Sequence, residues 1–254
     1  MNKTATILLS LLVTLLLICA QTALAEPVED YFMKTELQLH LDFDREPYVG
    51  EGIYTATVEH FSEWKYGDNY FFVDAEGQSN YSMDTETIYY EIAPRLSIDR
   101  ILGSKVVPLE NLGETYITVQ YNDGGEDYIK PVWLSGVSID FNFQPNYGFS
   151  NLSIMVRHEE TQDTAYQVTL VWGQPFQLFG HQFAFNGFAD YWQNDECEVF
   201  LTEPQLRYNL SSLFGSDSLM ATSVVGTEIE ISHDFFSEDA DWQVNPTLFF
   251  AFSF

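Results

Sequence analysis

Apolar and polar residues alternate with a period of two through most of the chain, which predicts strands with one apolar and one polar face. The pattern is clearest from Asp241 to Phe254. There Trp242, Val244, Pro246, Leu248, Phe250, Phe252 and Phe254 share one parity, and Asp241, Gln243, Asn245, Thr247 and Ser253 share the other. Twelve such segments can be marked, at 35–44, 53–64, 69–75, 86–101, 115–122, 132–143, 151–159, 165–176, 182–193, 198–210, 221–233 and 241–254. In the first, Leu37, Leu39, Leu41 and Phe43 oppose Glu36, Gln38, His40, Asp42 and Asp44. In the eleventh, Val225, Thr227, Ile229 and Ile231 oppose Glu228 and Glu230.

A soluble sandwich also alternates, but it does not leave so aromatic a last strand at an open edge, where it would invite aggregation. A closed barrel in the bacterial outer membrane has no edge, and its apolar face meets lipid. The polar faces carry charges in mid-strand, as a water-filled lumen would. The fold predicted is all-β, a transmembrane antiparallel barrel of twelve strands, the even number that single-chain bacterial barrels have. Its place is the outer membrane, with lipid and lipopolysaccharide as surroundings.

The N-terminal segment agrees with export. A basic start at Lys3, an apolar run from Ile7 to Ala20 and the small residues of Ala23-Leu24-Ala25 predict a signal peptide over residues 1–25, leaving 26–254 as one barrel domain. Ile18 before Cys19 is too large for a lipoprotein cleavage site. Lys3 leaves with the signal, so 9 of the 10 basic residues then face all 38 acidic ones, a net charge of −29. That charge repels a nucleic acid backbone, and nucleic acid is excluded as a partner. Cys197 is the one cysteine of the mature chain, so neither a disulfide framework nor a thiolate zinc site is expected.

The connections carry a further signal. The odd-numbered ones, taken as 45–52, 76–85, 123–131, 160–164, 194–197 and 234–240, hold 14 Asp and Glu, and the alternate set holds 4. With both termini in the periplasm, the acidic rim is the external one.

Two segments carry a family resemblance. Glu59-His60-Phe61-Ser62-Glu63-Trp64-Lys65-Tyr66-Gly67-Asp68-Asn69-Tyr70-Phe71-Phe72-Val73-Asp74 and Tyr90-Glu91-Ile92-Ala93-Pro94-Arg95-Leu96-Ser97-Ile98-Asp99 resemble, in order, two stretches of the Tsx/OmpK family of outer-membrane nucleoside channels. The two stretches lie within a span of about 40 residues, 59–99, and no residue of the second half aligns with a substrate contact. The resemblance implies a monomeric twelve-stranded barrel that passes nucleosides, in a family whose members also serve as phage or colicin receptors.

The residues themselves suggest three constellations. Glu91, Arg95 and Asp99, four apart on the polar face of the fourth segment, would line a constriction with Arg95 bridged between carboxylates, or would tie adjacent strands as a structural ion pair. Trp64, Lys65, Tyr66, Gly67 and Asp68 read as a turn at the membrane boundary, with Gly67 supplying a positive φ. Tyr89, Phe188 and Trp192 share parity with Glu91 and Asp190. They would give a nucleobase faces to stack on, or simply fill the interior of a small barrel. The histidines show no metal spacing and no nucleophile motif is present, so neither a cofactor nor an enzyme is expected. The function predicted is passive diffusion of a small polar solute. The alternative is a plugged surface barrel that binds phage, divalent cations or lipopolysaccharide.

Overall fold

The computed structural model describes residues 31–43, 52–77, 85–125, 130–141, 148–160, 162–193, 198–214, 218, 220–235 and 242–254. The expected signal peptide lies outside the described residues. So does most of the predicted acidic rim, at 44–51, 78–84, 126–129, 194–197 and 236–241.

The strands are β1 (Met33–Asp42), β2 (Ile53–Trp64), β3 (Gly67–Gly77), β4 (Thr85–Ser97), β5 (Leu112–Gly124), β6 (Val132–Phe141), β7 (Phe149–Glu159), β8 (Ala165–Leu178), β9 (His181–Gln193), β10 (Glu198–Thr202), β11 (Gln205–Asn209), β12 (Ser223–His233) and β13 (Trp242–Ser253). Each pairs antiparallel with its neighbours, and β1 pairs with β13 from Glu36 opposite Ser253 to Asp42 opposite Thr247, so the sheet closes. Both β10 and β11 lie between β9 and β12. Thr202 faces Ala189 and Gln205 faces Asn186, so the register is unbroken and the two are halves of one strand, interrupted at Glu203–Pro204. Counted so, the barrel has twelve strands, as the alternation predicts.

Most strand ends fall within three residues of those predicted, and two of the differences bear on the site. The fourth strand ends at Ser97 rather than 101, because the chain there turns into a five-residue helix, Ile98–Leu102. The Ser97 hydroxyl caps it by accepting from the Arg100 N–H at 3.1 Å, and Gly103, at φ 65°, ends it. The third strand begins at Gly67, so Asp68 stands on the strand and not in the turn before it.

Alternation separates the faces. In β1, Glu36, Gln38, His40 and Asp42 are buried, while Leu37 and Leu39 are 40% and 54% exposed. The exposed parity is the outer face, and it carries Ile92, Ile117, Val137, Ile154, Leu206 and Leu248 around the wall. Aromatic residues mark both ends of this band. Trp64, Tyr66, Phe149 and Phe254 lie toward the end where the chain terminates, and Trp133, Tyr166, Tyr191 and Trp242 toward the other. Aliphatic side chains between two aromatic girdles, on a closed sheet of strands mostly 10–14 residues long, make a surface for lipid. In water each such side chain would cost about 1.5–3 kcal/mol of lost burial.

This is a multi-pass outer-membrane barrel. It is therefore expected to fractionate with outer membranes and to migrate faster on a gel before boiling than after. Recovery in the soluble periplasmic fraction would contradict the fold. Phe254→Ser is expected to lower the yield of the fast-migrating form, since Phe254 exchanges backbone hydrogen bonds with Thr35 at the closure and its ring stacks on Phe252.

Candidate functional site

Among the described residues the inner face is mostly polar and tightly cross-linked, and four groups of its side chains bear on function. The first centres on Arg95 of β4. Its Nη2 and Nε donate to the two carboxylate oxygens of Asp68 at 2.7 and 2.8 Å, and its Nη1 donates to Asp140 of β6 at 3.2 Å. To reach Asp140 the guanidinium crosses β5, lying 4.2 Å from the centre of the Tyr116 ring. The Tyr116 hydroxyl and the Asn151 amide also donate to Asp140, at 3.1 and 2.8 Å. Arg95 is thus bridged between carboxylates, as its sequence context suggests, but the carboxylates are not Glu91 and Asp99. Asp99 stands in the helix, off the strand, where Oδ1 accepts from the Val106 N–H at 2.9 Å and Oδ2 from the Thr115 N–H at 3.4 Å. It shapes the 98–111 connection and leaves the constellation predicted for it.

The predicted turn is a tight one at Lys65–Tyr66, with Trp64 opposite Gly67. Its aromatic rings meet edge-on at 5.9 Å, and the Lys65 ammonium sits 5.2 Å from the Tyr66 ring centre. Gly67 is not at positive φ, contrary to expectation. It is glycine because a Cβ there would lie 1.9 Å from the Arg95 carbonyl oxygen of the neighbouring strand. Arg100 clamps the turn from outside, donating to the Trp64 carbonyl at 3.0 Å while its Nε holds Glu114 at 2.8 Å.

The second group surrounds Glu91 of β4. Its carboxylate accepts from Tyr89 at 2.5 Å, Gln120 at 2.7 Å and Asn122 at 3.0 Å. Beside it, Tyr70, Phe72 and Tyr89 form an aromatic row, with ring centres 6.2 and 5.8 Å apart.

The third group lies across the barrel on β7, β8 and β9. Arg157 lies 4.2 Å from the Trp192 ring centre and donates to Gln167 and Glu159, each at 2.9 Å. Asp190 and Phe188 follow Trp192 on the same face of β9, opposite Thr169 and Val171. Tyr89, Glu91, Phe188, Asp190 and Trp192 stand on the inner face. They sit on two walls, and Glu91 is within electrostatic reach of Asp190 and Arg157 from one wall to the other.

The fourth group spans the closure. Arg207 of β11 passes over Phe249 of β13, 5.2 Å from its ring centre, and donates to Glu36 of β1 at 2.5 Å. Glu36 also takes Lys34 and Ser253 at 2.9 Å and Gln38 at 3.0 Å, and Gln38 holds Glu59 of β2 at 2.7 Å.

Arg157, Arg207, Tyr70 and Phe72 were not singled out from sequence, although parity puts all four inside. Each inward arginine lies on an aromatic ring and holds a carboxylate or an amide, which fixes long side chains that would otherwise be mobile in a water-filled interior. Not all of the inner face is polar: Val132, Leu134 and Met155 pack together on β6 and β7. Beside them Gly136 leaves the room that a Cβ, 2.1 Å from the Ile154 carbonyl oxygen, would fill.

Comparison of structures finds the same fold in two porins. The KdgM porin aligns with a TM-score of 0.50 at 6% identity over 87% of this chain and 99% of its own. The NanC porin aligns with a TM-score of 0.52 at 8% identity over 85% and 98%. At such identities the likeness is one of fold. No curated protein matches the chain by sequence. Neither the family model nor these two porins bears on the Tsx/OmpK resemblance of the two short stretches. The chain belongs to the family described as "Domain of unknown function (DUF5020)", whose model matches residues 34–254 and so takes in nearly the whole barrel.

Proposed function

We propose that the barrel is a passive channel for small polar solutes, and that uncharged nucleosides are among them. The observation that carries the channel reading is the inner face. Among the described residues it is a closed twelve-stranded wall whose buried positions are mostly polar, with carboxylates, amides and arginines beside a smaller apolar set that includes Val132, Leu134, Met155, Val199 and Leu201. Eight strands leave an interior filled by side chains, whereas sixteen to eighteen leave a wide pore. Twelve strands with cross-linked side chains support a narrow passage. The row of Tyr70, Phe72 and Tyr89 beside Glu91 supports a planar solute: a base stacks on rings for roughly 1–3 kcal/mol, and ribose hydroxyls find carboxylates and amides. A phosphate group would meet the carboxylates unfavourably.

A second reading rests on how tightly the inner side chains interlock. Gln38 and Gln167 are 2% and 1% exposed, which suits a plugged barrel that binds at its rim. Planar bilayers separate the two. The channel reading expects discrete conductance steps, lowered by an added nucleoside and much less by its monophosphate. A folded barrel without steps would favour the plugged reading. Steps indifferent to nucleosides would keep the channel and discard that solute.

A further inference from the structure

One feature of the wall has no part in the four groups. The tenth strand is interrupted at Glu203–Pro204 in mid-barrel, although its register with both neighbours continues across the gap. Proline has no N–H to give the ladder, yet the local backbone is held firmly. The Glu203 N–H and the Thr202 hydroxyl both donate to the Phe188 carbonyl, at 3.2 and 2.5 Å, and the Pro204 carbonyl accepts from the Ile229 N–H at 3.1 Å. Strand nine is shaped to admit this segment. Gly187 has φ 154°, and a Cβ on it would lie 2.7 Å from the Glu203 carbonyl oxygen and 3.0 Å from the Pro204 Cα.

Parity places Glu203 on the inner face, between Leu201, which faces Asp190, and Gln205, which faces Asn186. Among twelve strands the tenth is five positions from β3 one way and seven the other, so the two walls are nearly opposed. Tyr70 is the fourth residue of β3 and begins the aromatic row. Glu203, from the opposed wall, is close enough to act electrostatically on the Tyr70 hydroxyl, as are Glu59, Asp74 and Glu91 around it.

We infer that Glu203 and Tyr70 form the two sides of the channel's constriction, and that Glu203 makes the passage select cations over anions. The inference rests on the channel reading. The anchored interruption sets Glu203 rigidly where a loose strand would let its carboxylate withdraw. Tyr70 narrows the passage from the other side. Neighbouring carboxylates give the constriction its sign, because a charge in a narrow, poorly hydrated section is felt more strongly than one at a wide mouth. Among the described residues the inward arginines do not reverse that sign: Arg95, Arg157 and Arg207 each hold a carboxylate of their own.

The test uses the full mature chain in planar bilayers under a KCl gradient. The wild type is expected to show a reversal potential on the potassium side. Glu203→Gln should lower the potassium-to-chloride permeability ratio by about threefold or more. Tyr70→Ala should raise the single-channel conductance while the ratio holds. Glu110→Gln, in the exposed 98–111 connection, should change neither. An unchanged ratio in Glu203→Gln, or an unchanged conductance in Tyr70→Ala, would overturn the inference while leaving the channel standing. A silent wild type would remove the channel reading and this one with it. A readout without current uses Glu203→Cys in a Cys197→Ser background, followed by mass. A cationic methanethiosulfonate should modify it faster than an anionic one, and equal rates, or none, would also overturn the assignment.

Discussion

Arg95→Ala is expected to be among the most destabilising single changes in the barrel, at about 3–5 kcal/mol, because it leaves carboxylates uncompensated. Asp68 is 2% exposed and receives two of the arginine's hydrogen bonds. Asp140 keeps its contacts from Tyr116 and Asn151 but loses its cation. The Tyr116 ring loses the guanidinium stacked on it. Urea unfolding in detergent, followed by the heat-modifiable gel shift, measures the loss. The double variant Arg95→Ala/Asp68→Asn should recover part of it, since no buried charge then remains at position 68. A double variant as weak as the single one would show that the arginine acts by packing across β3 to β6 and not by charge.

The same arginine shows how far the sequence could be read. Alternation gave twelve strands and sorted the faces, because a wall between lipid and a polar interior imposes a period of two on every strand. It put Arg95 inside and supposed two carboxylate partners. It could not choose them, because partners on a curved sheet lie across strands: Asp68 is 27 residues away and Asp140 is 45. Spacing along the strand suggested Asp99 instead, and Ser97, a capping residue three before Arg100, was the overlooked sign that a helix begins there. Pro204 was a second overlooked sign. A proline inside the apparent segment 198–210 argues against an uninterrupted strand. In sequence Gly67 suggests conformational freedom, whereas its role is to let β3 and β4 approach. That distinction appears only when the neighbouring backbone is in place.

The comparisons mark a second limit. The barrel is shared with porins at 6% and 8% identity, so little beyond the fold can be transferred from them. Fold alone does not carry a solute. The chemistry of this barrel lies on its inner face, where, among the described residues, Arg95, Arg157 and Arg207 are each laid on a ring and held by an acid, while further carboxylates line the wall between them. Charge selection is therefore the property most directly accessible to measurement, ahead of any named solute.

The second large effect is expected at the closure. A twelve-stranded barrel holds only if its first and last strands stay paired, and β1–β13 is that seam. Arg207 crosses it on the inside, from β11 over Phe249 on β13 to Glu36 on β1, and the side chains of the pair are only 7% and 4% exposed. Gly226, opposite both Arg207 and Phe249, makes the crossing possible, since a Cβ there would lie 2.4 Å from the Phe249 ring and 2.6 Å from the Leu206 carbonyl oxygen. Arg207→Ala should cost about 3–5 kcal/mol, as for other buried pairs broken on one side. Unlike Arg95→Ala, its effect should be concentrated at the seam. Hydrogen exchange should accelerate first at Glu36–Asp42 and Thr247–Ser253, while β3 to β6 keep their protection. Gly226→Val should produce the same regional pattern by displacing Phe249 and the arginine on it, at about 1–3 kcal/mol for an overfilled site. If both variants loosened the whole barrel evenly, Arg207 would be one contact among many and the idea of an inner clasp on the seam would be wrong.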